Sequence, residues 1–483
     1  MASGFHYDVI IVGAGPAGIF TAFELYHQCP QAKVLLLDKG KDIYHRYCPI
    51  SDGKIDKCPS TKTNYAGCLP TCSITGGWGG AGAYSDGKFN LTTEFGGWMQ
   101  DYLSKSEVLA LIKYVDEINL RFGAPPETFG NEDSNIKEIK RLAAAAGLKL
   151  LPAVVRHLGT EKNREILTRQ YEYLKDKIEI RHQTMVTNLL VSKDSNSASA
   201  KIVGVRLANG DEITAPYVVV VPGRDGSDWF ISELKQHNLH LHNNQVDIGV
   251  RVEVSSVVLE HITDVLYEGK LIYHTKQFGD QVRTFCTNPN GHVVIENHSG
   301  IMTVNGHSYL DKRLGSENTN FALLVSHHFT EPFNQPIEYA KSVARLANML
   351  SNGSVIVQRF GDLIKGRRST VSRIARGFVE PTLKEAVPGD LSLVLPHRTI
   401  QNLIEMIYAL DQIAPGMASE HTLFYGVETK FYSARPKLTK SFETEISGLF
   451  TGGDGGGLTR GLAQAAASGV VIGREISKRL NNR

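Results

Sequence analysis

Gly13, Gly15 and Gly18 stand in the spacing G-x-G-x-x-G, and Asp38 follows about twenty residues later. Glycines so spaced let a chain turn tightly, let a pyrophosphate approach the backbone, and let a helix pack close to a strand. A carboxylate at that distance suits the hydroxyls of a ribose, and the adjoining Lys39 is read with it as a cofactor contact. Pro16 gives up an N–H that has no helical partner in a first turn, and Ala17 follows it into the helix. The helix N-terminus then presents unpaired N–H groups and partial positive charge to phosphates. A second glycine loop near the end of the chain holds Gly453, Asp454, Thr459, Arg460 and Gly461. Asp454 suits either a cofactor contact or a helix cap.

Other residues have the chemistry for a reaction. Arg156 and His157 follow an apolar run, at a strand end that can aim them at a cofactor. His157 exchanges a proton near neutral pH, and Arg156 suits a substrate carboxylate or a cofactor phosphate. Both equally suit hydrogen bonds to neighbouring loops. Glu428, with Tyr425, is a candidate for the substrate side. The glycine-rich stretch 76–88 contains Gly79, Gly80, Ala81, Ser85, Asp86 and Lys88. So many glycines permit close approach to a flat ligand, and these six are read as cofactor contacts. Cys48, Cys58, Cys68 and Cys72 form C-x9-C-x9-C-x3-C, looser than the C-x2-C pairs usual for zinc or iron–sulfur sites. Ordinary thiols, a redox disulfide and a metal cluster all remain open there, with no metal ligand assigned. Arg367 and Arg368 suit an anionic clamp or a solvated face.

The elements that must hold these residues follow from patterning. Residues 9–12 read as a buried parallel strand, 17–27 as a helix, and 33–37 as a second strand ending at Asp38. Helical periodicity marks 104–122, 133–147 and 161–177. Strands follow at 178–181, 185–191 and 201–207, with Val186 in the second of these. Four consecutive valines, Val218 to Val221, form a buried strand that Gly223 ends. From about 244 to 439 alternating segments predict antiparallel strands, with helices at 337–350 and 399–413. The strand, loop and helix of 446–480 return to the texture of the start.

The chain has 483 residues, 42% hydrophobic and 21% charged, as in ordinary globular proteins of more than one domain. A formal net charge of +2 gives no general basic footprint for nucleic acid. No stretch approaches the ~18 apolar residues of a membrane span. The first strand starts too early for an export leader, so a cytoplasmic protein is expected. Its six cysteines then read as thiols, ligands or redox groups.

Taken together, the two glycine loops resemble the glutathione-reductase-like class of FAD proteins over 7–39, 212–223 and 446–476. That resemblance implies a role for each. The first loop would hold the FAD pyrophosphate and Asp38 the adenosine ribose. The backbone at Val186 would meet the adenine, and the loop around Asp454 would cover the ribityl chain. Three further segments, 79–88, 156–159 and 247–253, are similar to bacterial proteins called uncharacterised FAD-dependent dehydrogenases, as is 426–430. The implied fold is α/β. A Rossmann-like FAD-binding domain, with a parallel sheet and an antiparallel β-meander, would comprise 1–240 and 440–483. An inserted mixed α+β substrate domain would comprise 241–439.

The expected activity is that of a FAD-dependent oxidoreductase moving a hydride between the flavin and a small organic substrate at a C–C or C–N bond. A second fingerprint in its own strand–turn–helix unit is absent. Electrons would therefore come from the substrate, a redox protein, or NAD(P)H bound without such a unit. Neither nucleic acid nor membrane is expected as a partner. The rival readings are thiol–disulfide or cluster chemistry in the cysteine loop, a tRNA-modifying flavoprotein, and an electron carrier.

Overall fold

The computed structural model describes residues 5–49, 54, 71–85, 87–95, 97–130, 134–152, 154–193, 200–242, 245–266, 269–298, 300–309, 312–329, 332–333, 335–430 and 433–482. The chain divides into two compact units.

The first unit comprises Met1–Pro126, Arg156–Asn244 and Tyr432–Arg483. Its centre is a five-stranded parallel sheet in the order Leu449–Thr451, Tyr217–Val220, Val9–Val12, Val34–Leu37, Glu179–Arg181. Ile11 lies opposite Val219 on one side and Leu36 on the other. Every residue of Val9–Val12, Val34–Leu37 and Tyr217–Val220 is buried, as a sheet covered on both faces requires. A three-stranded antiparallel meander, Val186–Lys193, Ala200–Leu207 and Glu212–Thr214, packs its apolar residues against one face. Helices Pro16–Gln28 and Leu462–Asn481 cover the other. They touch closely because Gly469 and Gly473 have no side chains. A Cβ on Gly469 would sit 2.1 Å from the Ala17 carbonyl oxygen. The Thr21 hydroxyl instead donates to the Gly469 carbonyl at 3.2 Å. The first and last segments of the chain are thereby bound into one body.

The second unit comprises Glu127–Val155 and Gln245–Phe431. Residues 127–155, expected from sequence in the first unit, belong here instead. Lys149–Pro152 is a sheet strand, paired antiparallel with Gly269–His274. The eight-stranded sheet runs Val387–Pro388, Ile356–Arg359, Leu423–Lys430, Val246–Ser255, Asn318–His327, Gln281–Asn288, Gly269–His274, Lys149–Pro152. Its central strand alternates strictly. Val246, Ile248, Val250, Val252 and Val254 join an apolar core with helices Pro336–Leu350 and His397–Asp411. Asp247, Arg251 and Glu253 occupy the opposite face, and all three are buried.

Candidate functional site

Three glycine-rich segments converge in the first unit. Gly79 N–H donates to the Ala14 carbonyl at 2.7 Å, which lays 77–82 along the first loop. A Cβ on Gly80 would come 3.2 Å from Gly15 Cα. One on Gly82 would come 2.8 Å from Leu462, and one on Gly453 3.3 Å from Ala17. Ala81 lies in the 3-10 turn Gly80–Tyr84. The closing loop is pinned in turn by Gly223, since Gly455 has room for no side chain beside that residue's backbone.

The three fingerprint glycines have different physical reasons. A Cβ on Gly13 would lie 2.2 Å from the Val221 carbonyl oxygen, and one on Gly18 1.9 Å from that of Gly13. Both are excluded by the protein itself. Gly15 is otherwise: its φ is −76°, open to any residue, and beyond its chain neighbours no described atom lies within 4 Å of its missing Cβ. Among the described residues nothing demands glycine there, whereas a phosphate drawn onto the backbone would. Gly15 is also the residue before helix Pro16–Gln28, where N–H groups point outward with the positive end of the helix dipole. Gly461 and Gly223 also have no described atom within 4 Å of a Cβ, but their φ of +109° and +63° already requires glycine of the backbone. This cradle fits a dinucleotide.

Asp38 is tied to that cradle. One carboxylate oxygen accepts Ala14 N–H at 2.8 Å, and the other accepts Gly40 N–H at 2.7 Å and Gly77 N–H at 3.0 Å. A carboxylate offers about four lone-pair sites, so one is left for a ribose hydroxyl. Lys39 pairs with Asp225 at 2.6 Å. Val186 lies two residues past Thr184, whose N–H donates to the Asp38 carbonyl at 2.9 Å. Its backbone therefore runs beside the end of the second strand. Asp454, half-buried, accepts the Thr459 hydroxyl at 2.9 Å and Gly461 N–H at 3.3 Å. Burial pushes its carboxyl above the usual range, opposed by the charge of Arg224 and by those two bonds. The Arg460 guanidinium lies 4.1 Å from the centre of the Trp98 ring. Ser85 donates to the Gly82 carbonyl at 2.7 Å and accepts Gly87 N–H at 3.2 Å, closing the turn. Lys88 starts the short strand Lys88–Asn90. Asp86 lies outside the described residues, as do Cys58 and Cys68.

The reaction candidates fall in both units. Arg156 and His157 are buried in the first. The Arg156 guanidinium meets both oxygens of Asp116, at 2.6 and 2.8 Å, and the Pro125 carbonyl at 2.6 Å. It is thus held as a structural tie in this geometry. Glu428 belongs to the second unit, fully buried, with Arg251 at 3.3 Å and Lys430 at 3.0 Å. On the same sheet face Arg283 pairs with Asp247, which also accepts the Ser326 hydroxyl at 2.7 Å. Arg251 donates further to Asn320 and to the Cys286 carbonyl.

Two residues of the first unit carry no sequence signal. Arg46 is buried and donates to the carbonyls of Ser73, Ile74 and Trp78, holding the glycine-rich segment in place. Burial lowers its pKa to about 10, so it stays charged at neutral pH. His182 stands against Trp78 and Tyr171, and no described group reaches either ring nitrogen. Among the described residues no group of three or more His, Cys, Asp or Glu side chains is placed to hold a metal ion. No described helix is long and apolar enough to cross a membrane.

Residues 246–431 match the family "FAD-dependent protein, C-terminal domain-like". A Clostridium beijerinckii protein described only as uncharacterized is 26% identical, over 98% of this chain and 81% of its own length. Among solved structures, E. coli quinol fumarate reductase has 14% identity and a TM-score of 0.40, covering 98% of this chain and 70% of its own. Glycine oxidase from Bacillus cereus has 13% identity and a TM-score of 0.38, covering 98% and 95%. Residues 246–431 thus resemble the C-terminal domain of FAD-dependent proteins, and the glycine cradle of the first unit lies outside that matched span.

Proposed function

We propose that this chain exchanges a hydride with a small organic molecule at a C–C or C–N bond. The open backbone at Gly15, framed by Asp38 and the Asp454 loop, carries the reading. When bound, the flavin supplies two-electron chemistry at its N5. The chain's own part is to hold and orient. The loop 13–18 and its helix terminus take the pyrophosphate, Asp38 the ribose, and the backbone at Val186 the adenine. Asp454, Thr459 and Gly461 take the ribityl–phosphate end. The N-terminus of Leu462–Asn481 stabilises negative charge on the ring by about 0.3–2 kcal/mol.

For the substrate, the polar sheet face of the second unit is the candidate surface. Arg251, Arg283 and Lys430 are matched there by Asp247, Glu253 and Glu428, so the face suits a polar substrate without selecting its sign. Glu428 and His157 are the proposed proton-handling groups, with Arg156 a positioning residue. The outside electron partner is a redox protein or NAD(P)H, and the setting is the cytoplasm.

The test is to purify the protein without added cofactor, record its absorption spectrum, and mix it anaerobically with candidate donors. A two-banded yellow spectrum bleached by particular small molecules is expected. A protein that stays colourless when offered FAD refutes the proposal.

A further inference from the structure

The segment 364–378 of the second unit carries Lys365, Arg367, Arg368, Arg373 and Arg376, and no acidic residue. Phe378 and Val371 are 85% and 74% exposed, the most exposed large apolar side chains among the described residues. Ile364 and Leu393 are exposed beside them. Apolar and basic groups thus share one stretch of surface.

That stretch is held firmly. Ser369 is buried: its N–H donates to the Gly389 carbonyl at 2.9 Å and its hydroxyl to Asp362 at 2.8 Å. Gln358 donates to the Arg367 carbonyl at 2.9 Å and accepts Leu391 N–H at 2.8 Å. These bonds bring 366–371 against 389–391, next to Leu393. The Phe378 ring rests 4.1 Å from that of His421. Arg367 pairs with Asp362 at 2.8 Å and Lys365 with Glu420 at 3.7 Å. Among the described residues no carboxylate is in ion-pair reach of Arg368 or Arg376.

We infer that this face docks the protein on an anionic lipid surface. Negative headgroups answer Arg368, Arg373 and Arg376, and the boundary of the acyl chains takes up Phe378, Val371, Ile364 and Leu393. A nucleic acid rewards the cations but not three aliphatic tips, and its bases find one aromatic ring here. An acidic protein leaves the same tips in water unless it brings an apolar patch of its own. The attachment is peripheral, and it does not rest on the redox reading above.

Flavin-loaded, full-length protein is sedimented with vesicles of phosphatidylcholine alone or mixed with phosphatidylglycerol. Binding is expected only to the mixed vesicles, with release as salt shortens the Debye length. R368Q/R376Q is expected to weaken it roughly thirty-fold, about five-fold for each cation. F378S is expected to weaken it roughly ten-fold or more. Flavin absorbance and melting temperature should match the parent, and should either variant misfold, the parent's lipid and salt dependence decides. Equal binding to both vesicle types, binding to neither, or variants that bind like the parent overturn the inference. So does retention by tRNA or by an acidic protein without retention by the mixed vesicles.

Discussion

Replacing Gly15 by alanine separates a demand of the fold from a demand of the ligand. The backbone there, at φ −76° and ψ −177°, accepts alanine without strain, and beyond its chain neighbours the new methyl meets no described atom within 4 Å. The unfolded chain loses freedom, which stabilises the apoprotein by about 0.4–1 kcal/mol. The residue precedes a helix, where alanine is poorer than glycine by a similar amount, up to about 1 kcal/mol. The two effects nearly cancel, so the apoprotein should melt within a few degrees of the parent. Cofactor binding should not survive so well. The methyl fills the volume a phosphate needs to accept the loop N–H groups. Loss of one charge-assisted bond, about 1.5–3 kcal/mol, weakens FAD binding by about 10- to 150-fold. Gly18→Ala is the contrast, because its Cβ would lie 1.9 Å from a backbone oxygen. That protein should lose about 1–3 kcal/mol or more before any ligand is added. Melting curves of the apoproteins and flavin-fluorescence titrations read both effects. If Gly15→Ala binds FAD like the parent, this loop is not the pyrophosphate site. If it melts as early as Gly18→Ala, the account of open space around Gly15 fails.

Asp38→Ala removes the acceptor of three backbone N–H groups and should lower apoprotein stability by about 1–3 kcal/mol or more, read by denaturant melts. Arg156→Ala leaves Asp116 without its cation and should cost about 3–5 kcal/mol. Lost turnover in that variant therefore counts as catalysis only if its melting curve is unchanged. Burial holds the His182 imidazole below the usual histidine range, with Asp38 and Asp42 opposing. The unfolded chain then takes up the proton first, so this stability is present above about pH 6.5 and is lost as pH falls towards the folded value. His182→Leu should flatten that slope in melts between about pH 5 and 7, and an unchanged slope would rule the assignment out. C48S and C72S should leave the iron and zinc content of the purified protein unchanged; a fall in either revives a metal site in the cysteine loop.

The first loop, its strand and its helix were legible because each is local. A buried run, a glycine turn and an acid ending the next strand follow one another within the first forty residues. The apolar face of the second unit's sheet was legible for a similar reason, since Val246–Ser255 alternates with period two. Arg156 shows the limit of such reading. Its position at a strand end suggested a group aimed at a cofactor or bonded to a neighbouring loop, but its partner Asp116 lies on a helix forty residues away.

Local order in the chain therefore determined the strands, the helices and the kind of ligand a glycine loop can meet. Which glycine serves the fold and which serves the ligand was decided only by tertiary contacts. Gly13 and Gly18 are crowded by carbonyl oxygens, and Gly15 is not. The same holds for Arg46, His182 and the charged row of Asp247, Arg251 and Glu428, whose partners come from distant strands and loops. A side chain's charge is written in the sequence, but its burial and its partner depend on which segments the hydrophobic core draws together.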